Sequence, residues 1–273
     1  MPAAIFNLSQ RFPRRRAFIT GAASGLGLAC AELLAREGWK LFLTDVDEAR
    51  LSLVAQSLQG EGATVAAAAC DVRDAAALEA LVAQAVEVVG GIDVSLHAAG
   101  VATAGGFLAS PVDDWRWVFD INVLGTVHSC RAVLPHMQAQ RSGLVINIAS
   151  AAGFATNAKM ASYNSAKAAV IALSETLMQE FAQHGIQVVA AMPGFFRTRL
   201  LEAARGPEHT LAGARRVMEA SNLSAETVAE ALLLAAARGR THFVYPSRYQ
   251  WLWRLKRLSP GGFQKWLPRL LAR

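Results

Sequence analysis

Cysteine is scarce in this chain, and what there is does not suit a metal. Cys30, Cys70 and Cys130 lie far apart in apolar-periodic segments, no CxxC occurs, and the six histidines are scattered. Zinc sites need such ligands at short spacings, so no metal is expected. The three thiols read as buried residues of a protein in a reducing, cytoplasmic compartment. Long apolar runs are missing too, and none reaches the roughly 18 residues that span a bilayer. The opening MPAAIFNLSQRFPRRRAF lacks the apolar core of a secretory signal. Rich in Arg and free of acids, it reads as a short basic arm, with a transit-like role as the other reading. Acidic residues are absent from both ends. Of the 27 Lys/Arg, seven fall in Ser247–Arg273 and four in 1–16, which leaves 16 against all 21 Asp/Glu. The body is therefore mildly acidic and the pI of about 9.6 is made at the termini. That excludes a basic nucleic-acid face built into the fold.

What remains is a core-forming chain of 273 residues, 53% hydrophobic and 18% charged. Short β-rich runs are expected at Ala17–Thr20, Lys40–Thr44, Thr64–Ala69, Ile92–His97, Leu144–Ala149, Ile186–Met192 and His242–Tyr245. Most are continuously apolar, as strands covered on both faces are. Helical patterns fall between them at Gly25–Glu37, Glu48–Gln59, Ala75–Val89, Val112–Met137, Ala161–Gln183 and Ala225–Ala236. The alternation predicts one α/β domain, a doubly wound Rossmann-type fold of about seven parallel strands with helices on both faces. The organisation is a basic arm over 1–16, a catalytic domain over 17–246 with a lid over 197–223, and a basic amphipathic tail over 247–273.

Directly after the first strand comes TGAASGLG, Thr20–Gly27. Gly21, Gly25 and Gly27 stand where a strand turns into a helix, which lets backbone approach a pyrophosphate at a helix N-terminus. Asp45 ends the second strand at the distance expected of an acid that holds an adenosine ribose, and its charge repels a 2′-phosphate. Ser24 rather than a base precedes Gly25, and no Arg or Lys follows at Val46, so NAD is expected and NADP disfavoured. In SYNSAK, Tyr163 and Lys167 are four apart and share a helix face. A cation beside a phenol favours the phenolate that general acid–base chemistry uses. Ser150, at the end of LVINIAS, could polarise a carbonyl oxygen.

TGAASGLG, Asn122 in INVLG, Ser150 in NIAS, YNSAK and PGFFRT together resemble, in order and spacing, the short-chain dehydrogenases/reductases. The resemblance covers about Arg16 to Pro246. It implies a nicotinamide-dependent oxidoreductase with Asn122, Ser150, Tyr163 and Lys167 in the active site. Tyr163 would exchange the substrate proton, Ser150 hold the substrate oxygen, and Lys167 lower the Tyr163 pKa and bond the nicotinamide ribose. Asn122 would hold a water that links Lys167 to solvent. The resemblance further places Ser24, Leu26, Asp71, Val72, Gly100, Pro193, Gly194 and Thr198 around the cofactor, with Asp71 near the adenine and Thr198 on the carboxamide. One motif departs from the family: HAAG, His97–Gly100, replaces NNAG. His97 is expected on the cofactor wall, with a catalytic addition as the alternative.

Leu200, Leu201, Leu211, Val217 and Met218 are expected to form the apolar underside of the lid, with a helical connector carrying an ordinary core stripe as the other reading. With Phe195 and Phe196 they point to a lipophilic alcohol or ketone. The tail repeats the amphipathic theme. Trp251, Leu252, Leu255 and Leu258 are expected on one arc with Arg254, Lys256 and Arg257 opposite. SPGG is expected to break that helix, and Phe263, Trp266, Leu267, Leu270 and Leu271 form a second stripe after it. An anionic membrane, a neighbouring subunit or the chain's own lid could receive these faces. The expectation is thus a homo-oligomeric (dimeric or tetrameric) alcohol dehydrogenase or ketone reductase, cytoplasmic or at the inner membrane surface, with no nucleic-acid partner. The alternative is a non-catalytic NAD-sensing or scaffold protein on the same fold.

Overall fold

A computed structural model describes residues 8–271, with side chains as far as Leu267. Residues 1–7 of the arm, and the side chains of Leu270 and Leu271 in the second tail stripe, lie outside the described residues. The chain runs β1 (Arg16–Thr20), α1 (Gly25–Arg36), β2 (Lys40–Thr44), α2 (Glu48–Gly60), β3 (Val65–Ala67), α3 (Ala75–Val89) and β4 (Val94–His97). It continues through α4 (Val112–Phe119), α5 (Gly125–Gln140), β5 (Gly143–Ile148), α6 (Ala161–Phe181), β6 (Ile186–Pro193), α7 (Glu208–Glu219), α8 (Ala225–Ala237) and β7 (His242–Tyr245). Two helices follow, α9 (Ser247–Leu258) and α10 (Pro260–Leu271).

The seven strands form one sheet in the order β3-β2-β1-β4-β5-β6-β7, every neighbouring pair parallel. Alternate residues of each strand enter different cores. Ile19, Leu41, Leu43, Val94 and Leu96 pack beneath α1, α2 and α8. Phe18, Phe42 and Val145 face α3, α5 and α6 on the other side. With both faces covered, most positions of both sets are apolar, which is why the strands read as apolar runs. The chain order reverses between β1 and β4, so a crevice opens at the carboxyl ends of the strands there.

The described part of the N-terminal arm, from Leu8 on, packs against the body. Leu8 and Phe12 are buried, and the Ser9 hydroxyl accepts from the Trp39 indole at 3.0 Å. Arg16 belongs to β1 and is buried against Asp93: its Nη2 donates to Oδ1 at 2.7 Å, and its Nε and backbone N–H donate to Oδ2 at 3.0 Å.

His97 departs from both roles expected for it. Its side chain points away from the crevice into the layer between β4, β5 and α6, fully buried. Its Nδ1 lies 2.8 Å from Asn147 Oδ1, and its Nε2 lies 2.8 Å from the Ser95 hydroxyl. Asn147 in turn donates to Ser174 at 3.1 Å, and Ser174 donates to the Val170 carbonyl at 2.7 Å. Since Asn147 Oδ1 can only accept, Nδ1 carries the proton and Nε2 accepts from Ser95. HAAG therefore supplies a sheet brace. Strand alternation decides this: the residue that ends β4 at this register aims at its parallel neighbour, not at the loop beyond.

Burial lowers the His97 pKa to about 4, with the Asn147 bond acting the other way. A folded-state value below the unfolded one means that the neutral ring's stability is complete above about pH 6.5 and lost as pH falls toward 4. The full loss is on the order of 3 kcal/mol. Urea unfolding of wild type and His97→Asn across that window should show the variant losing less stability on acidification. Parallel curves would remove His97 from the acid response.

Candidate active site

The crevice is a cavity of about 550 Å³. Much of its wall hangs from strands' carboxyl ends. The glycine turn leaves β1, Asp45 follows β2, Cys70–Val72 follow β3, Ala98–Gly100 follow β4, Ser150 follows β5, and Pro193–Gly194 close β6.

At the first turn, α1 begins without a side-chain cap. Asp47 caps α2, Asp74 caps α3 and Ser224 caps α8, each accepting from a backbone N–H three residues on. Ser24, at the same position on α1, makes no such bond. The first-turn N–H groups of α1 thus stay directed at the cleft, where the helix dipole favours an anion. A Cβ on Gly27 would stand 2.1 Å from the Gly21 carbonyl oxygen, so only glycine lets the helix sit this close on its own turn. Asp45 is fastened by two backbone donors, Ala23 N–H at 3.0 Å and Asp47 N–H at 3.1 Å. Asp71 accepts from Arg73 Nε at 2.8 Å, and that bond holds its carboxyl below the usual range. Val72 is fixed through its carbonyl, which lies 2.9 Å from His128 Nδ1.

At the other end of the cleft, Tyr163 and Lys167 project from α6, both almost fully buried. Lys167 Nζ donates to the Ile148 carbonyl at 2.8 Å and lies 5.8 Å from the centre of the Tyr163 ring. Burial pushes the phenol up to about 12, while the neighbouring Ser150 hydroxyl works in the opposite direction. Burial likewise pushes the Lys167 ammonium down to about 8. Ser150 accepts from Ala152 N–H at 3.1 Å, which fixes its oxygen at the start of the following turn.

Asn122 comes to the site by a local irregularity. The helix expected over Val112–Met137 is interrupted by a π turn at Asp120–Leu124 and ends later, at Gln140. The turn makes Asn122 wholly buried, and its amide pairs with one backbone residue in both directions. Nδ2 donates to the Val101 carbonyl and Oδ1 accepts from Val101 N–H, each at 2.9 Å. Asn122 thus holds the Gly100–Val101 loop, where a Cβ on Gly100 would lie 3.6 Å from Lys167 Nζ.

Of the residues singled out in the sequence, Gly21, Ser24, Gly25, Leu26, Asp45, Asp71, Val72, Gly100, Ser150, Tyr163, Lys167, Pro193, Gly194 and Thr198 all line this one cavity. Gly27 and Asn122 stand behind it. In the 197–223 segment, Leu201, Leu211 and Met218 are buried as expected, but Val217 turns outward, 51% exposed. On α7 it is the neighbour of Met218, and a helix cannot bury both on one narrow seam.

Sequence reading missed Tyr249. This residue opens α9 and lies under the cleft, against Gly194, where a Cβ would stand 2.2 Å from the Tyr249 ring. The tail's receiving surface is therefore the body of its own subunit rather than the lid. Tyr249, Leu252, Phe263 and Leu267 pack with Phe154, Val170 and Met192, and Lys256 Nζ donates to the Phe154 carbonyl at 2.8 Å. The arc expected from Trp251 is out of phase: Trp251 is 58% exposed and Leu258 84%. SPGG breaks the helix as expected, though Gly261 and Gly262 lie inside the next one. Ser259 alone separates α9 from α10, and Pro260 takes the first position of α10, where a missing N–H costs nothing.

The residues present fit a dinucleotide: an uncapped helix N-terminus over a glycine cradle at one end, a fastened carboxylate beside it, and a buried phenol–amine pair at the other. Comparison with known proteins agrees. The family described as short chain dehydrogenase matches residues 15–209. Oxidoreductase UcpA of Salmonella typhimurium is 36% identical over 190 residues, 69% of this chain and 72% of that protein. An uncharacterized oxidoreductase of Staphylococcus saprophyticus is 38% identical over 185 residues, 67% of this chain and 79% of its own. A short chain dehydrogenase/reductase from Burkholderia phymatum, solved in complex with NAD, superposes with a TM-score of 0.80 at 33% identity, covering 84% of this chain and 88% of that one.

Proposed function

The chain belongs to the short-chain dehydrogenase family, an oxidoreductase family that uses NAD(P), and from that premise we propose that it interconverts a secondary alcohol and a ketone on a lipophilic substrate, with NAD preferred. The observation that carries this reading is one cavity with the glycine turn at one end and Ser150, Tyr163 and Lys167 at the other. The bound nicotinamide would accept or supply the hydride. Gly21, Ser24, Gly25, Leu26 and Asp45 would hold its adenosine diphosphate half, with Asp71 and Val72 at the adenine. Gly100, Pro193, Gly194 and Thr198 would flank the nicotinamide half.

The chain's own part is proton transfer and orientation. In oxidation the Tyr163 phenolate takes the hydroxyl proton of the alcohol; in reduction the neutral phenol returns it to the carbonyl oxygen. Ser150 donates to that same oxygen and fixes the substrate's orientation. Lys167, while protonated, opposes the burial that keeps Tyr163 neutral. Asn122 positions the loop against Lys167. The apolar groups above and below, Met160, Leu201, Met218 and the Tyr249 ring, exclude water and favour a substrate with little polarity beyond its carbonyl.

The NAD preference rests on Asp45, whose carboxylate lies in the cavity wall. Asp45→Ser should tighten NADPH binding at least tenfold, about 1.4 kcal/mol, as read by nicotinamide fluorescence. Wild-type protein that binds NADPH more tightly than NADH would overturn the preference. The family assembles into oligomers, and the proposed assembly is a homodimer or homotetramer.

A further inference from the structure

We infer that the outer face of the α9–α10 hairpin is a docking surface for an anionic lipid membrane. The inference goes beyond the hydride chemistry and does not depend on which substrate is used.

The hairpin has two faces with different work. Its inner face is spent on its own subunit through Tyr249, Leu252, Phe263 and Leu267. Its outer face is neither a polar surface nor a core. On α9, Arg248, Trp251, Arg254 and Leu258 recur at helical spacing along the exposed side, with Arg257 next to Leu258. Trp251 is 58% exposed and Leu258 84%; on α10, Trp266 is 48% exposed beside the exposed Lys265. Large apolar groups this open, set among cations, are the pattern of a helix lying in a headgroup layer. There the indole rings reach the acyl boundary while the cations stay at the phosphates. Among the described residues no helix is long and apolar enough to cross a membrane, so contact of this kind would be peripheral.

Charge selects this occupant. Ser247–Arg273 holds seven Lys/Arg and no acid, in a chain whose remainder carries all 21 Asp/Glu. Among the described residues the tail's basic side chains pair with one carboxylate, Glu175, 4.0 Å from Arg257. A second copy docking the same face by two-fold symmetry would bring like-charged arginines together, which opposes self-association. A nucleic-acid duplex would meet the cations but leave Leu258 and the two indoles in water. An anionic bilayer satisfies both parts, each cation near its surface raising partitioning about fivefold.

The test is co-sedimentation of the full chain with vesicles of phosphatidylserine in phosphatidylcholine, beside pure phosphatidylcholine. Binding to the anionic vesicles alone, lost at high salt because surface charges are then screened, is expected. The variant Trp251→Ser/Leu258→Ser/Trp266→Ser should weaken binding at least tenfold while circular dichroism and NADH binding stay unchanged. Should that variant fold poorly, Arg254→Gln/Lys265→Gln, which leaves the apolar groups in place, should weaken binding about twenty-fivefold. Wild-type protein that ignores anionic vesicles at low salt would overturn the inference. So would equal binding to neutral vesicles, undiminished binding by the well-folded variants, or a drop in oligomer mass as their only change.

Discussion

Tyr163→Phe should lower kcat/KM for both alcohol oxidation and ketone reduction by about 10²- to 10⁴-fold, the usual worth of a positioned general acid–base. NADH affinity should stay within a few-fold of wild type. The reason is local. The phenol is buried in the cleft wall beside Ser150 and Lys167, so its loss removes the proton route and leaves the cavity's shape intact. The pH dependence carries a sign. Burial pushes Tyr163 up to about 12 and so favours its protonated form. Oxidation, which needs the phenolate, should therefore rise with pH through the neutral range. Reduction, which needs the phenol, should not. Equal NADH production by Tyr163→Phe and wild type, across a panel of alcohols, would sink the assignment and leave the protein as an NAD-binding sensor or scaffold on this fold. A pH-independent oxidation rate would show that some other group takes the proton.

Asp93→Ala should cost about 3–5 kcal/mol of folding stability, because it strands a buried guanidinium. Arg16 and Asp93 side chains are only 6% and 8% exposed, and three donors converge on the carboxylate. In the variant, Arg16 keeps the Gly90 carbonyl and Gln140 Oε1 but has no counter-charge. That is a large part of the 5–15 kcal/mol by which domains are ordinarily stable. Replacing both partners with apolar residues, Arg16→Met/Asp93→Leu, should recover most of the loss, since neither charge is then buried alone. Urea unfolding measures both. A loss below about 1 kcal/mol for Asp93→Ala would mean that water reaches the pair and screens it.

Much of this molecule was legible because its signals are local. Gly21, Gly25 and Gly27 must stand between a strand and a helix for the turn to close, and the sequence places them there. Tyr163 and Lys167 share a face because four residues make about one helical turn. Apolar runs at Lys40–Thr44 and Ile186–Met192 mark strands covered on both sides, whichever strands lie beside them. These facts determined the doubly wound fold, the two ends of the cleft and most of its lining.

Where sequence reading went astray, the missing information was what lay opposite. His97 follows an ordinary strand pattern, and only the register of β4 against β5 turns it to Asn147 rather than to the cleft. Asn122 is brought inward by a π turn that helical periodicity averages away. The tail's amphipathic pattern fits more than one rotation about its axis. Tyr249 and Leu252 won the inner face over Trp251 and Leu258 because β6 and α6 present Met192, Val170 and Gly194 to receive them. A sequence by itself determines which residues want to be buried and at what spacing. The tertiary structure alone decided which face was taken in, since that depends on the shape of the surface that receives it.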